Sequence, residues 1–383
     1  MQKNMNYRTT SVPWASGWGA LETTDPREAA RIIAGESQLP FIPQLINRGM
    51  GSSLSGVTLS LLPSSYVQGP RSWMMSGSTV ASRRCRDAVH RDMDVYEESW
   101  QAGAALSGDC IKVQVMGPWS LAVMTELSDG HRIVSDPAAT RGFHEEWIGG
   151  VADHLSEVCR RFSGRVLVQI DEPYVDTVLG GTVAGVTEWD IIPPIHREVV
   201  VARWGQCCDA LRSEVGGIAD SGVYDGALAG VVMSMTASVP VNGEVPRYAQ
   251  PLIGLHDLEM ALVDGSLGHR RLDGVAGLID AGRRVVIGVS VEPRRSGVEN
   301  SAHTAVTTRN TGITRYAVDD PARDCAVRIS RVWRALGLDP VLMGERISIV
   351  EGHGGRGRER SDASSLRVAD DVRDMLRRDS GDL

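Results

Sequence analysis

The chain has 383 residues and a formal net charge of −8 at pH 7, with 42% hydrophobic and 23% charged residues. This length and composition are typical of a globular protein with one large α/β barrel or two smaller domains. The negative charge argues against a nucleic-acid partner, because phosphate binding needs a concentrated basic face.

The cysteines and the N-terminal segment indicate a cellular compartment. The six cysteines include no Cys-x-x-Cys spacing, and the segment MQKNMNYRTT lacks the apolar centre of a signal peptide. No run approaches the 18 apolar residues of a membrane-spanning helix. We therefore expect a cytoplasmic protein with reduced thiols and no membrane partner.

Short apolar runs alternate with amphipathic segments along the chain. The predicted elements, in chain order, are a strand at 110–119 that ends at Gly117-Pro118, a helix at 137–162, a strand at 166–170, a helix at 199–215, a strand at 226–235, a helix at 271–282, a strand at 283–293, a helix at 321–338, a strand at 345–355 and a helix at 362–379. The stretch 41–80 is rich in Gly, Pro and Ser, and the stretch 294–320 is polar without periodicity, so both are predicted to be long loops over one face.

Strands that alternate with helices without a long polar linker indicate a parallel sheet. At this length, closure of that sheet gives a (β/α)₈ TIM barrel. We predict an N-terminal arm over residues 1–13 and a single α/β barrel domain over 14–383, which includes the closing helix 362–379.

One strand ends abruptly in charged residues. The run Val166–Ile170 is followed by Asp171, Glu172 and Pro173, and Pro173 cannot continue a sheet ladder. The carboxyl end of a buried strand is where α/β folds place their chemistry. A solvated strand end is the alternative interpretation of this Asp-Glu pair.

Several segments together resemble a known family. They are SGWGALETTDPREAARII, LPFIPQLINRGMG, VQVMGPWSLAVMTEL and VLVQIDEP, in this order. The chain resembles the catalytic barrel of cobalamin-independent methionine synthase, within the methionine synthase and uroporphyrinogen decarboxylase-like superfamily, and in particular its short actinobacterial-type members. The similarity extends over about residues 14–380, and GPWS and QIDEP are its most specific motifs.

The resemblance implies a zinc site at the carboxyl end of the barrel, where the metal would activate a substrate thiol for methylation by methyltetrahydrofolate. The family's ligand positions fall on Met233, Met235, Asp257 and His353. Thioethers are weak ligands for zinc, so we expect a degenerate site that holds no zinc. A folate remains a cofactor that the resemblance allows.

The resemblance also implies a pocket for an amino-acid-like substrate. Asp171 is expected to face the substrate's amino group, and Gly19 stands in the family's Gly-Ser motif, whose serine is replaced by Ala20. Ser120 and Glu172 are further substrate-binding candidates. Glu172 has a second interpretation, in which it holds neighbouring backbone amides.

His353 lies between glycines in EGHGG, where the backbone can expose an imidazole. It is the candidate general acid or base, and Glu351 is its candidate orienting partner. A solvated loop histidine is the alternative.

Four functions therefore remain open. The first is a repurposed small-molecule enzyme that performs zinc-free transfer or lyase chemistry on an amino-acid-like substrate. The second is an active methyltetrahydrofolate-dependent thiol methyltransferase with an unusual metal site. The third is a non-catalytic protein that binds folate or an amino acid. The fourth is a structural partner of another protein, for which the sequence offers no specific support. In the first three cases the expected partner is a small molecule, and the oligomeric state is open, with a homodimer as one option.

Overall fold

A computed structural model describes residues 13–101, 110–162, 164–187, 189–216, 227–234, 246, 249–263, 265–290, 306–307, 314–315, 320–351, 360–361, 363–379 and 381–383. Its strands are β1 (Ala15–Gly17), β2 (Ala20–Leu21), β3 (Gln44–Leu45), β4 (Ser65–Gln68), β5 (Trp73–Ser76), β6 (Cys110–Met116), β7 (Thr125–Glu126), β8 (Arg165–Asp171), β9 (Leu228–Ser234), β10 (Ala249–Gly254), β11 (Val285–Val289), β12 (Val306–Thr307), β13 (Thr314–Arg315), β14 (Ile347–Glu351) and β15 (Arg360–Ser361).

The main sheet contains seven parallel strands in the order β1-β14-β11-β10-β9-β8-β6. The segment 39–42 joins its two edges. Leu39 N–H donates to the carbonyl of Ala15 in β1 at 2.9 Å, and Ile42 N–H donates to the carbonyl of Lys112 in β6 at 2.9 Å. The seven strands and the segment 39–42 thus form a closed barrel with eight members, and the predicted (β/α)₈ barrel is confirmed.

Helices lie between and around these strands. They are α1 (Pro26–Glu36), α2 (Leu54–Leu61), α3 (Val80–Gln101), α4 (Pro118–Met124), α5 (Pro137–Phe162), α6 (Val175–Gly180), α7 (Arg197–Gly216), α8 (Leu255–Val263), α9 (Gly265–Asp280), α10 (Pro321–Ala335), α11 (Met343–Arg346) and α12 (Ala363–Arg378). None of the helices in the described part of the chain combines the length and the hydropathy that crossing a bilayer requires.

The two faces of the barrel wall belong to different apolar clusters, and this shows which way each side chain points. Alternate residues along a strand face opposite sides of the sheet. The outward-facing side chains pack against the helices in a large core that includes Val168, Ile170, Val231, Ile253 and Ile287. The inward-facing side chains form a smaller cluster that includes Trp14, Leu167, Val232, Leu252, Val286 and Val350.

Most predicted elements agree with the structure to within a few residues, and the helix predicted at 137–162 coincides with α5. Two differences have clear causes. The stretch 41–80 is not one long loop, because it contains α2 and the antiparallel pair β4–β5. The strand β10 was not identified, because Pro251 interrupts its apolar run and proline is rare in the middle of a sheet. Most of 294–320 lies outside the described residues.

Candidate functional site

Asp171 is the last residue of β8, and its side chain faces the barrel interior. It lies in register with Ser234 of β9, and Gln169 lies one step below it, beside Val232. The carboxylate is buried, with 3% of its residue surface exposed. The sequence predicted this position, and the structure places Asp171 at the carboxyl-terminal mouth of the barrel.

A network of inward-facing amides holds the Asp171 carboxylate. Gln169 Nε2 donates to Oδ1 at 3.0 Å and to Oδ2 at 3.3 Å, and Gln114 Nε2 of β6 donates to Oδ2. Gln114 and Gln169 are neighbours in the register of the two strands. The carboxylate is therefore oriented by two neutral side chains that are themselves buried in the wall.

Lys112 extends this network toward the centre of the barrel. Its Nζ donates to the carbonyl oxygen of Trp18 and to Gln169 Oε1, both at 2.8 Å. Burial lowers the pKa of Lys112 to about 7, and the nearby Asp171 carboxylate opposes that shift. A cation, two amides and a carboxylate thus form one connected interior chain.

The site residues predicted from the sequence did not include Lys112, Gln114 or Gln169. A signal was nevertheless present, because polar residues recur at a period of two within apolar strands, in CIKVQVM and in RVLVQID. Two polar residues that are two positions apart share one face of a strand. In a barrel this pattern places them together inside.

Gly19 lies against the upper part of this network. It has a positive φ of 152°, which favours glycine, and a Cβ at this position would lie 1.4 Å from Gln114 Oε1 and 2.9 Å from Gln44 Oε1. The two amide oxygens therefore approach the same point of the backbone. Gly19 was predicted to contact substrate, and the structure places it beside the residues that hold Asp171.

Glu172, in contrast, faces outward and binds α4 and α7. Its Oε2 accepts from Ser120 N–H at 2.7 Å, and its Oε1 accepts from Trp119 N–H at 3.2 Å and from Trp204 Nε1 at 3.0 Å. Burial raises the pKa of Glu172, and these hydrogen bonds oppose the rise. These contacts agree with the second interpretation of Glu172, in which its carboxylate accepts hydrogen bonds from neighbouring backbone amides.

Ser120 belongs to the same outer arrangement. Its Oγ accepts from Tyr174 N–H at 3.0 Å, and the residue is fully buried behind the barrel wall. Gly117 N–H donates to the carbonyl of Asp171 at 2.7 Å, and a Cβ on Gly117 would lie 2.3 Å from the Glu172 carboxyl carbon. We call the contacts among Gly117, Trp119, Ser120, Glu172 and Trp204 the outer lock. Ser120 and Glu172 thus contact the protein itself rather than the mouth.

The remaining predicted positions that the structure describes do not converge on Asp171. Met233 lies in register with Ile170 and packs in the outer core, so Ser234 holds the inward place beside Asp171. Glu351 pairs with Val289 on the outward face of β14, where its charge acts on Cys325 of α10. Asp257 is half-buried in the first turn of α8, which follows β10 directly. Met235 and His353 lie outside the described residues.

These placements bear on the zinc site that the family resemblance implies. Ser234 supplies a hydroxyl, which is a poor zinc ligand, at the inward position. No group of three or more histidine, cysteine, aspartate or glutamate side chains within the described ranges is arranged to hold a metal ion. The described residues at the mouth therefore do not fit a zinc ion.

Comparison with known proteins found no matching family model and no matching curated protein. Solved structures with some similarity include a chitinase from Rhizomucor miehei, with 13% identity, a TM-score of 0.35, and coverage of 79% of this chain and 89% of that chain. A xylose isomerase-like TIM barrel protein from Mycobacterium smegmatis, in complex with magnesium, has 10% identity, a TM-score of 0.35 and 98% coverage of both chains. The spore cortex-lytic enzyme SleL of Bacillus megaterium has 8% identity, a TM-score of 0.38, and coverage of 94% of this chain and 74% of that chain.

Proposed function

We propose that this chain is a repurposed methionine-synthase-like barrel that binds an amino-acid-like molecule at its mouth and performs transfer or lyase chemistry on it without zinc. One observation carries the proposal. Gln114 Oε1 is buried without a hydrogen-bond partner among the described residues, and it belongs to the side chain that donates to Asp171. A buried acceptor of this kind is costly unless a ligand supplies a donor.

The polar atoms at this point favour an ammonium group. The Asp171 carboxylate and the amide oxygens of Gln114 and Gln44 are all acceptors, and the last two approach Gly19 together. An ammonium ion offers three donors and no acceptor. A carboxylate or phosphate would instead meet oxygen atoms and a negative charge.

Lys112 supplies a group that can exchange a proton when such a ligand binds. The Asp171 carboxylate partly offsets the lowering of the Lys112 pKa by burial. An ammonium ion bound beside Asp171 neutralises that carboxylate and so removes part of this offset. The pKa of Lys112 then falls further and its proton leaves. A neutral amine still has two N–H donors, so the hydrogen bonds to Trp18 and Gln169 survive this change.

The thiols support the proposed cytoplasmic setting. All six cysteines are thiols rather than disulfides, and five of them are buried. Thiols in this number are typical of a reducing compartment.

Titration calorimetry with L-amino acids and their thioether derivatives tests the proposal. We expect at least one ligand of this class to bind, and binding near pH 7 to release protons, seen as a dependence of the heat on the buffer. Asp171→Asn keeps the shape and removes the charge, so its affinity should fall about 10- to 100-fold, which corresponds to about 1.5–3 kcal/mol.

Asp153→Asn is the matched control, because it removes the same charge from the exposed surface of α5. Its affinity should equal that of the wild type. A ligand that binds Asp171→Asn as tightly as the wild type would contradict the assignment of the anchor. Binding without any product detectable by mass spectrometry would favour the non-catalytic alternative.

A further inference from the structure

A cavity adjoins the mouth where the barrel wall meets the surrounding helices. It has a volume of about 40 Å³ and lies between the segment 42–45, β6 and the helices α2, α3 and α5. We call it the recess. One water needs about 10–15 Å³, and pockets for whole drug-sized ligands hold about 300–1,000 Å³. The recess therefore has the size of a single small substituent.

The recess and the mouth share two residues. Gln44 and Gln114 line the recess, and their amide oxygens are the ones that approach Gly19. A molecule whose ammonium group lies at Asp171 therefore has the recess next to it, beside the same two glutamines.

An unsatisfied hydroxyl group lines the recess. Tyr96 of α3 is 5% exposed, and its hydroxyl has no hydrogen-bond partner within the part of the chain that the structure describes. Burial raises the pKa of Tyr96 well above its usual value, so the phenol stays protonated and can both donate and accept. A buried hydroxyl without a partner indicates a missing polar group.

The other groups around the recess favour an uncharged occupant. Asp92 is neutralised by Arg48, whose Nη1 contacts its two oxygens at 2.7 and 2.8 Å. Burial lowers the pKa of His154 to about 4, so its imidazole is neutral at pH 7. The rest of the lining is largely apolar and includes Ile42, Leu45, Val57, Val89, Met93 and Val113.

We propose that the recess binds the side chain of the amino-acid-like substrate, and that this side chain is short, uncharged and ends in a hydroxyl or amide group that hydrogen-bonds Tyr96. The inference rests on the proposed function, because it takes the ammonium group at Asp171 as the other end of the ligand. It adds the class of side chain that the substrate carries.

Matched pairs of ligands test the inference by titration calorimetry. L-asparagine is compared with L-leucine, and L-homoserine with L-norvaline, because the members of each pair differ little in shape. The polar member should bind about 3- to 10-fold more tightly to the wild-type protein. Tyr96→Phe should abolish this preference and leave the affinity for L-leucine and L-norvaline unchanged.

The variant Tyr96→Phe should fold, because it removes a hydroxyl that has no partner to lose. Tyr66→Phe is the matched control, since the Tyr66 hydroxyl is bonded to Glu146 and does not line the recess. It should retain the preference for the polar ligands. Equal affinities within each pair, or a preference that survives Tyr96→Phe, would overturn the inference.

The two proposals fail in different ways. If Asp171→Asn weakens all four ligands and Tyr96→Phe changes nothing, the proposed function stands and the recess inference is wrong. If none of the four binds the wild type, the proposed function is contradicted for these ligands, and crystals soaked with propionamide test the recess separately. Propionamide within hydrogen-bonding distance of Tyr96 would support the polar site, and solvent alone would overturn it.

Discussion

Asp171 and Glu172 are adjacent carboxylates, and they belong to two different regions of the molecule. Asp171 faces the barrel interior, where two glutamine amides and Lys112 surround it. Glu172 faces the helices, where it accepts three hydrogen bonds from Trp119, Ser120 and Trp204. Alternation along a strand sends neighbouring side chains to opposite faces, so one motif serves the mouth and the outer lock at once.

This difference shows that adjacent residues of one motif can serve different parts of the structure. The motifs GPWS and QIDEP pack against each other, so that residues of one fit the space and the hydrogen-bonding groups of the other. Gly117 leaves the space that the Glu172 carboxyl group occupies, and Ser120 receives a hydrogen bond from the chain just beyond Pro173. Of the two carboxylates, only Asp171 is placed where a ligand in the mouth can reach it.

The largest expected effect is on the outer lock. Glu172→Gln keeps the size but turns an acceptor into a donor that faces N–H groups, so the free energy of unfolding should fall by about 2–4 kcal/mol. Asp171→Asn should cost less stability, about 1 kcal/mol, but more affinity. Denaturant titration of both variants measures the contrast, and equal losses of stability would remove the distinction between the regions.

Gly117→Ala tests the space within the outer lock. The added Cβ would lie 2.3 Å from the Glu172 carboxyl carbon, so the wall must shift at a cost of about 1–3 kcal/mol in the free energy of unfolding. Gly149→Ala is the control, because nothing lies within 4 Å of that Cβ and alanine favours a helix. A Gly117→Ala protein as stable as the Gly149→Ala protein would contradict the close packing.

The effect that is smallest at neutral pH comes from a buried histidine, and it grows as the pH falls. His144 packs edge-on against Trp119 at 4.6 Å between ring centroids, and burial lowers its pKa to about 3. As pH falls from 6.5 toward 3, the unfolded chain binds a proton that the folded protein does not, so this histidine destabilises the fold by about 1.4 kcal/mol per pH unit. Above 6.5 both states are neutral and the effect vanishes.

Denaturant titrations of the wild type and His144→Phe between pH 4 and 8 measure this effect. Phenylalanine keeps the ring but cannot bind a proton, so the difference in stability between the two proteins should grow as pH falls. A stability difference between the two proteins that is the same at every pH would show that His144 does not cause the pH dependence.

Hydrophobic periodicity was sufficient to predict the barrel class and elements such as α5, because long amphipathic segments and buried apolar runs are local signals. It was not sufficient for the segment 39–42, which closes the barrel through backbone hydrogen bonds to Ala15 and Lys112. Those bonds join residues far apart in the chain. Similarly, Pro251 concealed β10, whose place between β9 and β11 is set by its neighbours.

The sequence by itself determined that a carboxylate ends a buried strand, and that polar residues recur at a period of two in CIKVQVM and RVLVQID. Only the tertiary structure decided which face each residue took. It turned Asp171 inward and Glu172 outward, and it placed Met233 in the outer core, where the resemblance implied a metal ligand. The physical reason is that a shift of one residue in strand register reverses every side chain, and register depends on contacts between strands that are distant in sequence.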